Sequence, residues 1–93
     1  MTPEGRIENH LRRKVKAARG RIRKLRWLDR RGAPDRLVWW PGPRMAFVEC
    51  KAPGKKPSPL QAQEHSRLRR DGFEVYVLDS MEAVDAFIEE MTE

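Results

Sequence analysis

A single cysteine stands in the whole 93-residue chain, at position 50. No intramolecular disulfide can form, so a reducing cytoplasm is the expected setting. No apolar stretch approaches the ~20 residues that a membrane span needs, and the first residues lack the apolar segment of a secretion signal. A membrane partner is therefore not expected. Internal repeats and low-complexity tracts are missing as well, and only Ala52 to Pro59, APGKKPSP, reads as linker-like. What remains is one small domain, residues 1–93, close to the size at which a single core is sufficient but not generous.

Acidic residues are scarce in one half only. Residues 1–56 hold 5 Asp/Glu against 17 Lys/Arg, a net +12, whereas residues 57–93 hold 9 against 3, a net −6. The chain as a whole carries +6, with a pI near 10.1. A basic half of that strength favours a polyanion such as nucleic acid, whose phosphates dominate non-specific affinity. The alternative is a solvated basic face kept for solubility. The apolar residues fall in short ordered runs, which points to a folded chain rather than a disordered one.

Those runs outline seven elements. Thr2-Pro3 suits a helix start, with Thr2 as N-cap and Pro3 at the first position, where its missing N–H costs nothing. Ile7, Leu11, Val15 and Ala18 then recur at helical spacing and predict a helix over residues 3–18, stopped by Gly20. Glu8 lies on the apolar side of that helix, as either a rim ion pair with Arg12 or a carboxylate reaching a site. A strand is expected over 24–30, although Ile22, Leu25, Trp27 and Leu28 do not alternate cleanly. The basic residues around Trp27 suit a strand beside phosphates or a guarded sheet edge. Strands are predicted over Arg36–Trp40 and Arg44–Lys51 about the loop Pro41-Gly42-Pro43, and another over Phe73–Leu78. Between them, Ser58, Pro59 and Gln61 open a helix running to about Arg70 or Asp71, before Gly72. Ser80 caps a last helix bearing Met81, Val84, Phe87, Ile88 and Met91.

The chemistry gathers in residues 32–51. Gly32 tolerates positive φ, and Pro34 fixes its own φ while forcing Ala33 to be extended, so the chain arrives rigidly at Asp35. In the second strand Met45, Phe47, Glu49 and Lys51 share one face, and Ala46, Val48 and Cys50 share the other. Both faces are largely apolar, as in a central strand covered on both sides. An acid and a lysine two residues apart on a strand, with an aspartate at the start of the neighbouring strand, can hold a divalent cation against a phosphate. The alternative is a salt-bridged sheet end without chemistry. The Cys50 side chain is expected in the core, while its backbone carbonyl is placed to be a further oxygen ligand. Trp39 and Trp40 point to opposite faces, so one can serve the core and leave the other for a protein partner or a stacked base. Gln61 completes a capping box, and His65, one turn further on, reads as a substrate-side or surface histidine.

Pro34-Asp35 and Glu49-Cys50-Lys51 together resemble the two motif halves of the PD-(D/E)XK nuclease superfamily. More narrowly, Glu8, Gly32-x-Pro34-Asp35, Glu49-x-Lys51, Ser58-x-x-Gln61, Leu68 and Gly72 are similar to the VRR-NUC (virus-type replication-repair nuclease) family. The resemblance implies an α+β fold, an α/β/α sandwich with a restriction-endonuclease-like core in the order α-β-β-β-α-β-α and a central mixed sheet. It implies a metal-dependent, structure-selective DNA endonuclease, in its stand-alone form a homodimer resembling a Holliday-junction resolvase that cuts four-way junctions.

On that resemblance Asp35, Glu49, the Cys50 carbonyl and Glu8 bind one or two Mg²⁺ or Mn²⁺ ions, whose preference for oxygen ligands fits the set. Lys51 orients or activates the water or holds the phosphate, and Gln61 steadies the water or the lysine. Arg12, Arg13, Lys16, Lys55 and Lys56 supply the DNA footprint, and no nucleotide cofactor is called for. Two other readings stand beside it: a non-catalytic nucleic-acid-binding module that kept the fold, and a flap or single-strand nuclease. A sequence-specific restriction enzyme would need more chain for base readout.

Overall fold

The computed structural model describes residues Met1–Glu93. Helix α1 spans Pro3–Ala17, strand β1 Arg21–Lys24, β2 Arg36–Trp40, β3 Arg44–Cys50, helix α2 Pro59–Arg70, strand β4 Val75–Leu78 and helix α3 Met81–Thr92. This is the expected element order. The four strands form one mixed sheet in the order β1-β2-β3-β4. The first three run antiparallel, β1 joined to β2 by the long segment 25–35 and β2 to β3 by the tight loop 41–43, and β4 lies parallel to β3 after the α2 crossover.

Each helix begins where its capping residue dictates. The Thr2 hydroxyl accepts the Gly5 N–H at 2.9 Å and the Ser80 hydroxyl accepts the Ala83 N–H at 2.9 Å. Ser58 and Gln61 close a reciprocal capping box. α1 ends with Arg19 at φ 67° and Gly20 beyond it. Gly20 serves packing as much as stopping, because a Cβ there would lie 2.6 Å from the Trp40 ring.

The sheet has two unlike faces. On one, Ile7, Leu11 and Val15 of α1 and Val84, Phe87, Ile88 and Met91 of α3 enclose Val38, Trp40, Ala46, Val48, Cys50 and Leu78, all buried. Tyr76 packs against this cluster and meets the Phe87 ring edge-on at 4.7 Å. Trp40 is the core tryptophan and donates its indole N–H to the Ala18 carbonyl at 3.0 Å. Burying side chains of this size contributes about 1.5–3 kcal/mol each. His10 and Lys14 of α1 also reach Asp85 of α3 at 2.8 and 3.7 Å, tying the two helices together.

The opposite face carries Leu37, Trp39, Met45, Phe47 and Glu49. Trp39 is half-buried, with the Arg23 guanidinium 5.3 Å above its ring. Helix α2 and residues 25–34 cover this face around Phe47 and Glu49.

Three strands differ from the expectation: β3 ends at Cys50 instead of Lys51, β1 lies over Arg21–Lys24, and β4 is shorter at its start. No strand runs through 24–30. The Leu25 N–H donates to the Asp35 carbonyl at 2.8 Å, and there the pairing with β2 ends. Trp27 then turns inward, donating to the Pro34 carbonyl at 2.8 Å and packing on Phe47 at 5.8 Å between centroids. Leu28 is left 89% exposed. The non-alternating apolar residues of this segment reflect a loop laid over the sheet rather than a pleated strand. β4 starts at Val75 instead of Phe73, because the Phe73 N–H is held by the Leu68 carbonyl at the exit of α2.

Candidate active site

The site is built on the β2–β3 hairpin. Arg36 pairs with Val48, and extending that register by one residue sets Asp35 opposite Glu49, in the range where cross-strand side chains interact. Two contacts hold the approach to Asp35. Gly32 has φ +79°, and a Cβ on it would meet the Leu60 backbone of α2 at 2.9 Å. Pro34 is buried, and its carbonyl is anchored by Trp27. The glycine therefore provides both a positive φ and a close approach of the turn to the first turn of α2.

Glu49 is 8% exposed, and its carboxyl is pushed up to about 7. Burial is the largest cause and the neighbouring Asp35 charge the second; the Lys51 ammonium and the Asp35 backbone N–H pull the other way. Asp35 is half-exposed and its Oδ2 lies 3.1 Å from Arg36 Nη1. Lys51 follows β3 directly, and its backbone N–H donates to the Leu78 carbonyl at 2.9 Å, fixing its backbone against β4. Cys50 points into the apolar core, where burial and then the Glu8 charge push its thiol up to about 12. Its side chain is unsuited to nucleophilic work at neutral pH.

Glu8 does reach this end of the sheet, but its partner is Arg36, at 3.1 Å, rather than Arg12. Arg12 instead donates to Asn9 at a long 3.5 Å. The correction follows from geometry: Arg36 is on the sheet face under α1, whereas Arg12 is exposed on the helix. One guanidinium thus grips two acids, Glu8 through Nη2 and Asp35 through Nη1. No three His, Cys, Asp or Glu side chains converge tightly enough to make a metal cage. Asp35 and Glu49 are brought together, and Glu8 is held beside them by an arginine.

Glu4, one turn before Glu8, is a second acid on α1 whose charge raises Glu49. The sequence reading passed over it, although its four-residue offset from Glu8 puts both on one helix side.

Gln61 closes the capping box, its side-chain oxygen accepting the Ser58 N–H at 2.9 Å. His65 is not a surface residue: it is 1% exposed, and its Nε2 has no hydrogen-bond partner. Burial, then Arg69 and then Lys51, lower its pKa. Arg12, Arg13, Lys16, Lys55 and Lys56 are all exposed. Arg12 borders a depression of about 270 Å³ with Glu8, Lys24 and Arg36. Beyond these, Glu64 of α2 is buried and paired with Arg67 at 3.2 Å and Arg30 at 3.5 Å. The Arg67 half was visible as a helical i,i+3 pair, but Arg30 arrives only through the loop over the sheet.

Two carboxylates with adjacent backbone carbonyl oxygen are hard donors. They suit Mg²⁺ or Mn²⁺, which take one or two protein carboxylates and complete their shells with water and phosphate oxygen. The raised Glu49 carboxyl fits the same reading, since a cation would relieve both its burial and its like-charged neighbour.

A family model described as the VRR-NUC domain matches residues 3–82. "Putative nuclease p44" of Acyrthosiphon pisum secondary endosymbiont phage 1 is 49% identical over 79 residues, covering 85% of each chain. A solved structure described as a VRR_NUC domain superposes with a TM-score of 0.90 at 41% identity, covering 96% of this chain and 97% of that one.

Proposed function

The chain belongs to the VRR-NUC family, and from that premise we propose that it is a Mg²⁺- or Mn²⁺-dependent DNA endonuclease selective for branched structure, acting as a homodimer on four-way junctions. The observation that carries the reading is Glu49, a buried carboxyl held near neutral pKa against Asp35 at the end of a hairpin, with Lys51 beside it. A carboxyl so placed favours a cation or a proton, and phosphodiester hydrolysis uses the cation.

Asp35, Glu49 and the Cys50 carbonyl would hold the ion or ions, with Glu8 available once Arg36 releases it. When bound, the metal supplies Lewis-acid stabilisation of the charge that builds on the phosphate. Lys51 orients the attacking water or holds the scissile phosphate from the same strand face as Glu49. Gln61, at the N-terminus of α2, steadies the water or the lysine with the amide group that the capping box leaves free. Arg12, Arg13, Lys16, Lys55 and Lys56 bind the flanking phosphates.

The test is incubation of the purified protein with four-way, flap, duplex and single-stranded DNA and Mg²⁺ or Mn²⁺, with its mass measured in solution. Asp35→Asn and Lys51→Ala are expected to lose on the order of a thousandfold in cleavage rate, with the fold and DNA binding kept. Equal cleavage by these variants would sink the assignment. A monomer would remove paired junction cutting, and preferred cleavage of flaps or single strands would replace the junction as substrate. No cleavage with either metal would leave a DNA-binding module.

A further inference from the structure

Lys51 and His65 both belong to the crossover that links β3 to β4. Lys51 extends β3 on the face bearing Glu49, and His65 lies on α2, one turn after Gln61. Each has unused hydrogen-bonding capacity. The Lys51 ammonium takes no part in the ion pairs of the molecule, which around the site involve Arg36. His65 Nε2 is fully buried and unpartnered, the sole buried side-chain polar atom in that condition.

Buried polar atoms are hydrogen-bonded in the great majority of cases, and leaving one unpaired is destabilising. Both groups lie on the α2 side of the sheet, Lys51 because it extends β3 on the Glu49 face and His65 because α2 covers that face, and Lys51 is among the charges that lower the His65 pKa. They are also complementary: a lysine ammonium has three donors and no acceptor, while a neutral imidazole offers one acceptor nitrogen.

We propose that His65 is a positioning residue for Lys51, its Nε2 accepting a hydrogen bond from the ammonium, directly or through one water, and so holding Lys51 over Asp35 and Glu49. Burial and the cationic neighbours Arg69 and Lys51 keep the ring neutral, as an acceptor must be; Glu64 is the one facing acid, and its carboxylate is taken up by Arg67 and Arg30. The crossover gives this contact its use. Lys51 has a long side chain with considerable rotamer freedom, and a lysine serving a reacting phosphate loses rate when misplaced by an ångström. An acceptor on a separate, rigid helix restricts it without neutralising its charge.

The consequence for cleavage rests on the nuclease reading, but the contact itself can be measured without it. In protein carrying ¹³C-labelled lysine, relaxation of the Lys51 ε-carbon is expected to report an ordered side chain, unlike those of Lys55 and Lys56. His65→Leu, which removes the nitrogen and keeps apolar volume, should make Lys51 as mobile as those two while the protein stays folded. His65→Gln, which can place an amide oxygen near the Nε2 position, should restore the order. In cleavage assays His65→Leu is expected to lose on the order of tenfold in kcat with KM unchanged, and His65→Gln to recover most of it.

A Lys51 already mobile in the parent protein, or equally ordered in His65→Leu, overturns the proposal. So does equal kcat in the two variants and the parent. Failure of the parent protein to cleave any DNA would count against the nuclease reading alone, with lysine order still deciding the role of His65.

Discussion

The two faces of the sheet are opposites in what they bury. Between α1, α3 and the sheet thirteen apolar side chains form one cluster, with the tryptophan N–H among them paired to a carbonyl. Between the other face and α2 are buried Glu49 of β3 and Glu64 and His65 of α2, each a polar group of the kind that burial penalises. The first face holds the molecule together, and the second spends part of that stability keeping acids and an imidazole out of water. Because β3 contributes alternate residues to both faces, Val48 and Glu49, neighbours in the chain, serve opposite ends.

The largest effect expected from probing this contrast is on the apolar side. Phe87→Ala removes a ring that touches both Trp40 and Tyr76 and should cost about 3–5 kcal/mol in denaturant unfolding. A loss below 1 kcal/mol would mean that the face is not the main source of stability.

The polar side should respond in the other direction. Glu49 has a folded-state pKa of about 7 against an ordinary 4.5, so its contribution to stability is intact below about pH 4.5 and is lost as pH rises through about 7. Glu49→Gln keeps a neutral side chain at every pH. In metal-free buffer the variant should gain on the parent between pH 4.5 and pH 7.5, by no more than about 3 kcal/mol, while losing metal-dependent cleavage. By the same sign, Mg²⁺ should raise the Tm of the parent more at pH 8 than at pH 5 and leave Glu49→Gln nearly unmoved. Parallel stability–pH curves for the two proteins would remove the contrast at this position.

The smallest effect separates two roles of one residue. Ser58→Ala and Gln61→Ala each break half of the capping box and should each cost about 1 kcal/mol. If Gln61 also acts in the site, Gln61→Ala lowers cleavage well beyond Ser58→Ala. Matched losses would reduce Gln61 to a cap.

How much of this was readable in advance depended on how far apart in the chain the partners lie. Asp35, Glu49 and Lys51 stand out because strand alternation and a three-residue loop set their geometry, and both are local. The caps at Thr2, Ser58 and Ser80 are local too. What escaped was long-range. Arg36 meets Glu8 across 28 residues, and the depth of His65 depends on how α2 docks rather than on its own periodicity. The segment after Lys24 misled because its tryptophan answers to Pro34 and Phe47, contacts that no alternation encodes. Leu68 and Gly72, by contrast, sit where the helix exit requires them, with the Leu68 carbonyl receiving the Phe73 N–H.

The parallel placement of β4 beside β3 also dictates an order of assembly. Closing the hairpin between Trp40 and Arg44 confines only three residues, so Asp35 and Glu49 can meet early and at small entropic loss. Bringing Val75 alongside Phe47 requires α2 to be formed and docked across the intervening chain, a slower, non-local step. Asp35 and Glu49 therefore belong to the part of the molecule that can form first, while Gln61 and His65 reach them only with the closing of the crossover.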